Sequence, residues 1–163
     1  MYIFKDMKNK SLIYIILFCF VLCGFIFFEM NKEKPMGAVD YVYLGNKMGM
    51  KGNHLEASNF FKSSMMIDPY YIPAYLGLGI AYGNLGRNNE AVEVFKEGIK
   101  LGTFHKLVPQ MEMGIATIAY DKMNNDKIAV KYIKKALQTY TDQGDHVGVA
   151  IAANKLKQIS PKP

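Results

Sequence analysis

The sequence predicts an all-α chain. About three helix–turn–helix repeats form a stacked solenoid, closed by a C-terminal capping helix and preceded by an N-terminal transmembrane helix. Three observations lead there. Ser11 to Phe28 carry no charge at all. From Met36 onward apolar and polar residues interleave at helical spacing, as in a domain with one face in water. Within that region two blocks coincide when the chain is offset by 34 residues, a period that marks stacked helical repeats.

The elements follow in chain order. Residues 1–11 form a basic tail with Lys5, Lys8 and Lys10. Residues 12–28 number 17, and at about 1.5 Å per residue they reach roughly 26 Å, the short end of what crosses a hydrocarbon core of about 30 Å. The run exceeds the roughly 7–15 apolar residues of a cleavable leader, and "FIFFEMNKEKP" offers no small-residue cleavage site. A retained anchor is the expectation. The rival is a lipoprotein with Cys23 as its modified residue, but Leu22 stands where a small residue is needed. Lysines before the segment tilt the N-terminus towards the cytoplasm. A single-pass membrane protein follows, with residues 36–163 extracytoplasmic, in the periplasm if the source is a Gram-negative bacterium. Both cysteines, Cys19 and Cys23, fall in the apolar run, so the remainder has no disulfide framework. Residues 29–37 form a short charged linker.

Residues 38–158 make the repeat domain. "YVYLGNKMGMKGNHLEASNFF" aligns with "YLGLGIAYGNLGRNNEAVEVF", pairing Tyr41 with Tyr75, Leu44 with Leu78 and Gly45 with Gly79. The pairing continues with Gly52 and Gly86, Ala57 and Ala91, Phe61 and Phe95. A third copy follows after four extra residues, with Met113, Tyr120, Ala129 and Ile133 in register. There Thr117 replaces the first glycine and Asn124 the second, and Asn tolerates the left-handed turn conformation. The repeats run about 38–71, 72–105 and 110–143. Each is expected to be a helix pair, about Ala38–Lys51 with Leu55–Ile67, then Ile72–Leu85 with Asn89–Leu101. Glycine inside a helix costs roughly 1 kcal/mol, so Gly79 implies close packing, with Ala91 beside it; Gly86 implies the turn. Leu78, Tyr82, Phe95 and Ile99 are expected between neighbouring repeats. A capping helix over about 145–158 takes Asp145 as N-cap and exposes Lys155 and Lys157. Residues 159–163 are a tail.

This pattern resembles the tetratricopeptide repeat family. It is carried by Tyr41, Leu44, Gly45, Met48, Ala57, Phe61 and Pro69, then by Tyr75, Leu78, Gly79, Tyr82, Ala91 and Phe95 without the proline. Tyr120 and Ala129 carry it in the third copy. The resemblance covers roughly residues 38–140 and implies a fold, not an activity. It implies a concave groove lined by the first helix of each pair, where a protein partner's segment is held. Proteins of this kind serve as adaptors in secretion, pilus or envelope machinery. The copies place Val42, Asn46 and Met50, then Leu76, Ile80 and Asn84, then Gly114 and Ile118 at the groove. In relatives that clamp acidic chain termini, basic and Asn side chains occupy such places, and here only Asn46 fits. An apolar, small lining suits an amphipathic helix or an extended segment with apolar anchors. The alternative is that these residues pack inside the stack.

Little else points to chemistry. No catalytic, cofactor or metal residues are expected, and the chain is read as a non-enzyme. His54, His105 and His146 lack metal-ligand spacing and are read as turn or cap residues. Soft methionines suit copper, but core filling or groove lining is the plainer role for the 11 here. Glu90, Glu93 and Glu97 interleave with Lys96 and Lys100 on a solvated face. Gly77 and Gly79 sit within a helix and lack the rest of a nucleotide loop. Lys127, Lys131, Lys134 and Lys135 line one helix, either an ordinary exposed face or a surface for anionic lipid. Residues 36–163 hold 15 Lys and Arg against 11 acids, a dispersed net charge of +4 that excludes nucleic acid as a partner. The function expected is a membrane-tethered scaffold or adaptor. Its alternatives are a self-associating homo-oligomer and an enzyme with an unrecognised site.

Overall fold

A computed structural model of the protein describes residues 17–26 and 35–159, which belong to two compact units divided after Pro35. In the first unit, residues 17–26 form a helix, α1. The expected membrane crossing is corrected here. Among the described residues no helix is long and apolar enough to cross a membrane. The ten described residues of α1 reach about 15 Å, half of a hydrocarbon core. The expected anchor's residues 12–16 and 27–28 lie outside the described residues, as do the tail at 1–11 and residues 160–163 of the expected 159–163 tail, whose Ile159 instead belongs to the last helix. With the span goes the basis for a single-pass membrane location and an extracytoplasmic side.

The second unit has seven helices: α2 (Ala38–Met50), α3 (His54–Ile67), α4 (Ile72–Asn84), α5 (Asn88–Leu101), α6 (Val108–Asp121), α7 (Asp126–Asp142) and α8 (His146–Ile159). No strand occurs among the described residues. The all-α repeat stack read from the periodicity is the architecture of this unit.

Local chemistry sets the helix ends. The Gly37 N–H donates to the Asp40 carboxylate at 2.8 Å, closing the first turn of α2. Pro73 and Pro109 sit at the starts of α4 and α6, where a missing N–H costs nothing. Asn125 caps α7 by accepting the Ile128 N–H at 3.0 Å. Asp145 caps α8 by accepting from Gly148 at 2.9 Å, as its place before the last periodic run implied. Gly86 turns the chain at φ +75°, and Asn124 does the same for α6 and α7 at φ +48°. The longer α5–α6 connection is held by the His105 N–H on the Gly102 carbonyl and by the Leu107 N–H on the His105 ring nitrogen Nδ1, at 2.7 and 3.2 Å.

Each helix packs on the next in sequence, and a second set of contacts joins α2 to α4 and α4 to α6. That makes α2, α4 and α6 one row. The core is built from a repeated device: an aromatic side chain standing in a slot between two glycines. Phe61 of α3 lies against Gly45 of α2 and Gly77 of α4, and Phe95 of α5 lies against Gly79 of α4 and Gly114 of α6. A Cβ at any of these four glycines would overlap the ring. Ala57, Ala91 and Ala129 are completely buried. Tyr75 and Tyr82 are buried as well; the Tyr75 hydroxyl donates to the Pro69 carbonyl at 2.8 Å, and the Arg87 guanidinium lies over the Tyr82 ring at 4.1 Å. Buried Ser64 ties α3 to the start of α2 by donating to the Ala38 carbonyl at 2.8 Å. A second cluster, Ala116, Ala119, Ala129, Ile133, Ala136, Tyr140, Ala152 and Ile159, joins α6, α7 and α8.

Candidate functional site

The row of α2, α4 and α6 carries two adjoining hollows. The first, about 460 Å³, lies between α2 and α4, with Asn46, Gly49 and Met50 on one wall and Gly77, Ile80 and Asn84 on the other. The second, about 240 Å³, lies between α4 and α6 and is lined by Ile80, Gly83, Asn84, Gly114, Thr117, Ile118 and Lys122. Ile80 and Asn84 border both, so the two read as one surface with a ridge.

The hollows exist because of the glycine slots. Phe61 and Phe95 reach the floors of the first and second hollow, each ring held where glycine leaves room for it. Small residues at Gly49, Gly77, Gly79, Gly83 and Gly114 deepen what side chains would otherwise fill. The lining is largely apolar and contains no carboxylate. Its polar groups are the amides of Asn46, Asn84 and Asn88, with His54, Thr117 and Lys122. Asn88 is distinctive: its Oδ1 is buried and has no hydrogen-bond partner among the described residues. Among those residues no group of three His, Cys, Asp or Glu is placed to hold a metal ion.

The slot that repeats across the helix pairs decides what this fold resembles. Residues 72–101 match the tetratricopeptide repeat family model. That stretch is α4 with α5. Solved structures share the wider tetratricopeptide-like fold. PcrH from Pseudomonas aeruginosa matches with a TM-score of 0.69 and 19% identity, over 76% of this chain and 92% of that one. PcrH in complex with the chaperone binding region of PopD matches at 0.67 and 20%, over 78% and 96%. The first tetratricopeptide domain of Spaghetti (RPAP3), bound to the HSP90 peptide SRMEEVD, matches at 0.63 and 19%, over 75% and 89%. No curated protein matches the chain in sequence.

On this tetratricopeptide-like frame, Asn46, Met50, Ile80 and Asn84 are exposed and line the hollows together. Ile118 lines the second hollow but keeps only 7% of its surface exposed. Gly114 lines it too, with its other side against the Phe95 ring. Two of the expected groove residues are corrected. Val42 is 8% exposed and part of the core, and Leu76 is half-buried against that core. On α2 the exposed stripe is Val39, Tyr43, Asn46 and Met50. These lie within about 60° of one another at 100° per residue, and Val42 falls about 40° beyond Asn46, where it is buried. Tyr43 is 67% exposed but borders neither hollow; the lining residues of α2 that sequence reasoning missed are Gly45 and Gly49. Their signal was the 34-residue recurrence of Gly45 with Gly79 and of Gly49 with Gly83. Asn88 and Lys122 gave no such signal, because only the fold brings them to the second hollow.

Proposed function

We propose that this domain is a protein-binding scaffold that holds a segment of a partner protein across α2, α4 and α6, and is not an enzyme. The helix pairs α2–α3, α4–α5 and α6–α7 are its repeats, and α8 is its cap. The observation that carries this reading is the pair of hollows flanking Ile80, each with an aromatic floor. A segment crossing the ridge can set one apolar side chain in each. The unpartnered Asn88 Oδ1 supports an extended strand of peptide at the second hollow, since a backbone N–H would relieve its buried acceptor. The partner-bound PcrH and RPAP3 structures lend the reading further support, as each carries a bound segment on the same kind of fold. The lining here has no basic cluster for an acidic terminus, so the bound segment is internal or apolar-ended.

A photo-crosslinker placed at Ile80 in cells, with one at exposed Lys62 on the outer helices as control, tests the proposal. The expected result is a discrete protein adduct at Ile80 that Met50→Lys abolishes while the far-ultraviolet spectrum stays helical. Adducts equally strong at Lys62, or an Ile80 adduct indifferent to Met50→Lys, would refute it. An adduct to a second copy of the chain would replace the adaptor with self-assembly.

A further inference from the structure

A third hollow shares no lining residue with the first two. It measures about 340 Å³ and is enclosed by α5, α6 and α7. Ile115 and Ala119 of α6 form the base, Val92 of α5 forms one wall, and Ile128 and Tyr132 of α7 form the other. Its rim is charged and unbalanced. On α5 the rim pair neutralises itself, with Lys96 Nζ 2.7 Å from Glu93 Oε1. On α7, Lys131 has no carboxylate partner among the described residues, and Lys135 lies 5.5 Å from the centroid of the Tyr132 ring. Lys127 stands one turn before Lys131 on the same face. The α7 rim therefore presents Lys127 and Lys131 beside an apolar cavity, while Lys135 lies by its aromatic wall and acts on the Glu112 carboxylate.

From this we infer that the α5–α7 hollow is a second docking site, fitting an acidic peptide segment that inserts one bulky apolar side chain between Val92 and Tyr132. Charge complementarity selects the occupant: cations with no local counter-ion attract carboxylates, and the attraction weakens with salt. Shape selects a peptide over an anionic membrane. The base is recessed between three helices, where a protruding side chain reaches and a flat headgroup layer does not. The site lets the stack hold an internal apolar segment at the first two hollows and an acidic one at the third.

The full chain is titrated into a fluorescein-labelled acidic peptide with one central phenylalanine, read by anisotropy. Phosphatidylglycerol vesicles are tested in parallel by flotation. The inference expects saturable binding that falls about tenfold or more when the phenylalanine becomes serine, and by a similar factor in Lys127→Glu/Lys131→Glu. Both lysines are exposed, so the double variant should keep its helical spectrum. Ile80→Lys should leave this binding unchanged even if it abolishes capture at the first two hollows, so each proposal can fail alone. Four results would overturn the inference: no saturable peptide binding, indifference to the double lysine change, loss with Ile80→Lys, or flotation with vesicles in place of peptide binding.

Discussion

Asn124 does in the third helix pair what Gly52 and Gly86 do in the first two, at φ +48° against +79° and +75°. A left-handed residue costs other side chains roughly 1–2 kcal/mol, and Asn less through its local hydrogen bonding. Asn124→Ala should therefore lower stability by about 1 kcal/mol in urea unfolding, while Asn124→Gly should hold it or raise it slightly. This turn was legible because the repeat alignment puts Asn under Gly. Gly144, at φ +71° between α7 and α8, was not, because it lies outside the 34-residue register. Glu112 is a different kind of residue. It is buried on α6 with its Oε2 accepting from the Thr139 hydroxyl at 3.1 Å, and burial pushes its carboxyl above the ordinary value, with Lys135 and that hydrogen bond opposing. The folded state thus holds this proton more tightly than the unfolded chain. Stability attached to it is full below the unfolded carboxyl's pKa and is lost as pH rises through the raised one. Glu112→Gln should flatten that decline and melt higher than the parent at neutral pH. A variant whose melting falls with pH as the parent's does would place the titration elsewhere.

At the scale of helices, the aromatic between two glycines explains why the chain tolerates glycine inside α4. Gly77 and Gly79 are both helical and both buried, and each faces a different ring, Phe61 on one side and Phe95 on the other. The sequence made Gly79 and Ala91 legible as close-packing residues from their recurrence. It did not make Gly77 legible, since the first copy has Tyr43 there and no repeat announces it. The same limit put buried Val42 among the expected groove residues of α2, beside Asn46 and Met50, which do line the first hollow. Aligning copies fixes which residues correspond between helices, but not which direction around the helix faces the open side. One position along a helix turns the direction by about 100°, so a buried and an exposed residue can be immediate neighbours, as Val42 and Tyr43 are. Two substitutions test the slot. Gly79→Ala forces Phe95 to move and should cost about 1–3 kcal/mol. In a Phe95→Ala background the ring is gone, so the same Gly79→Ala change should cost almost nothing or stabilise the helix. Additive costs in that double-mutant cycle would mean that the ring and the glycine do not share the slot.

Across the whole repeat unit, interactions are between neighbours in the stack, so damage should stay local in a way that a globular core would not allow. In the repeat unit, periodicity made the helices readable because each repeat imposes the same burial pattern. The last helix repeats nothing, and its role rests on the second core cluster. Ala152 and Ile159 of α8 are buried there beside Ile133 and Ala136, and the Tyr140 ring of α7 lies against Gly148. Removing residues 145–163 would expose that ring together with the α7 face carrying Ile133 and Ala136. Each large side chain left uncovered costs about 1.5–3 kcal/mol, which is a sizeable share of a stability of about 5–15 kcal/mol. Phe61 and Phe95 would keep all their partners, because none of these comes from α8. Hydrogen exchange on the truncated chain should therefore show amides of α7 and the adjoining part of α6 losing protection by orders of magnitude, while α3 and α4 change little. Uniform loss across all helices would mean that the stack melts as one cooperative block, and unchanged protection in α7 would mean that α8 is not its cap.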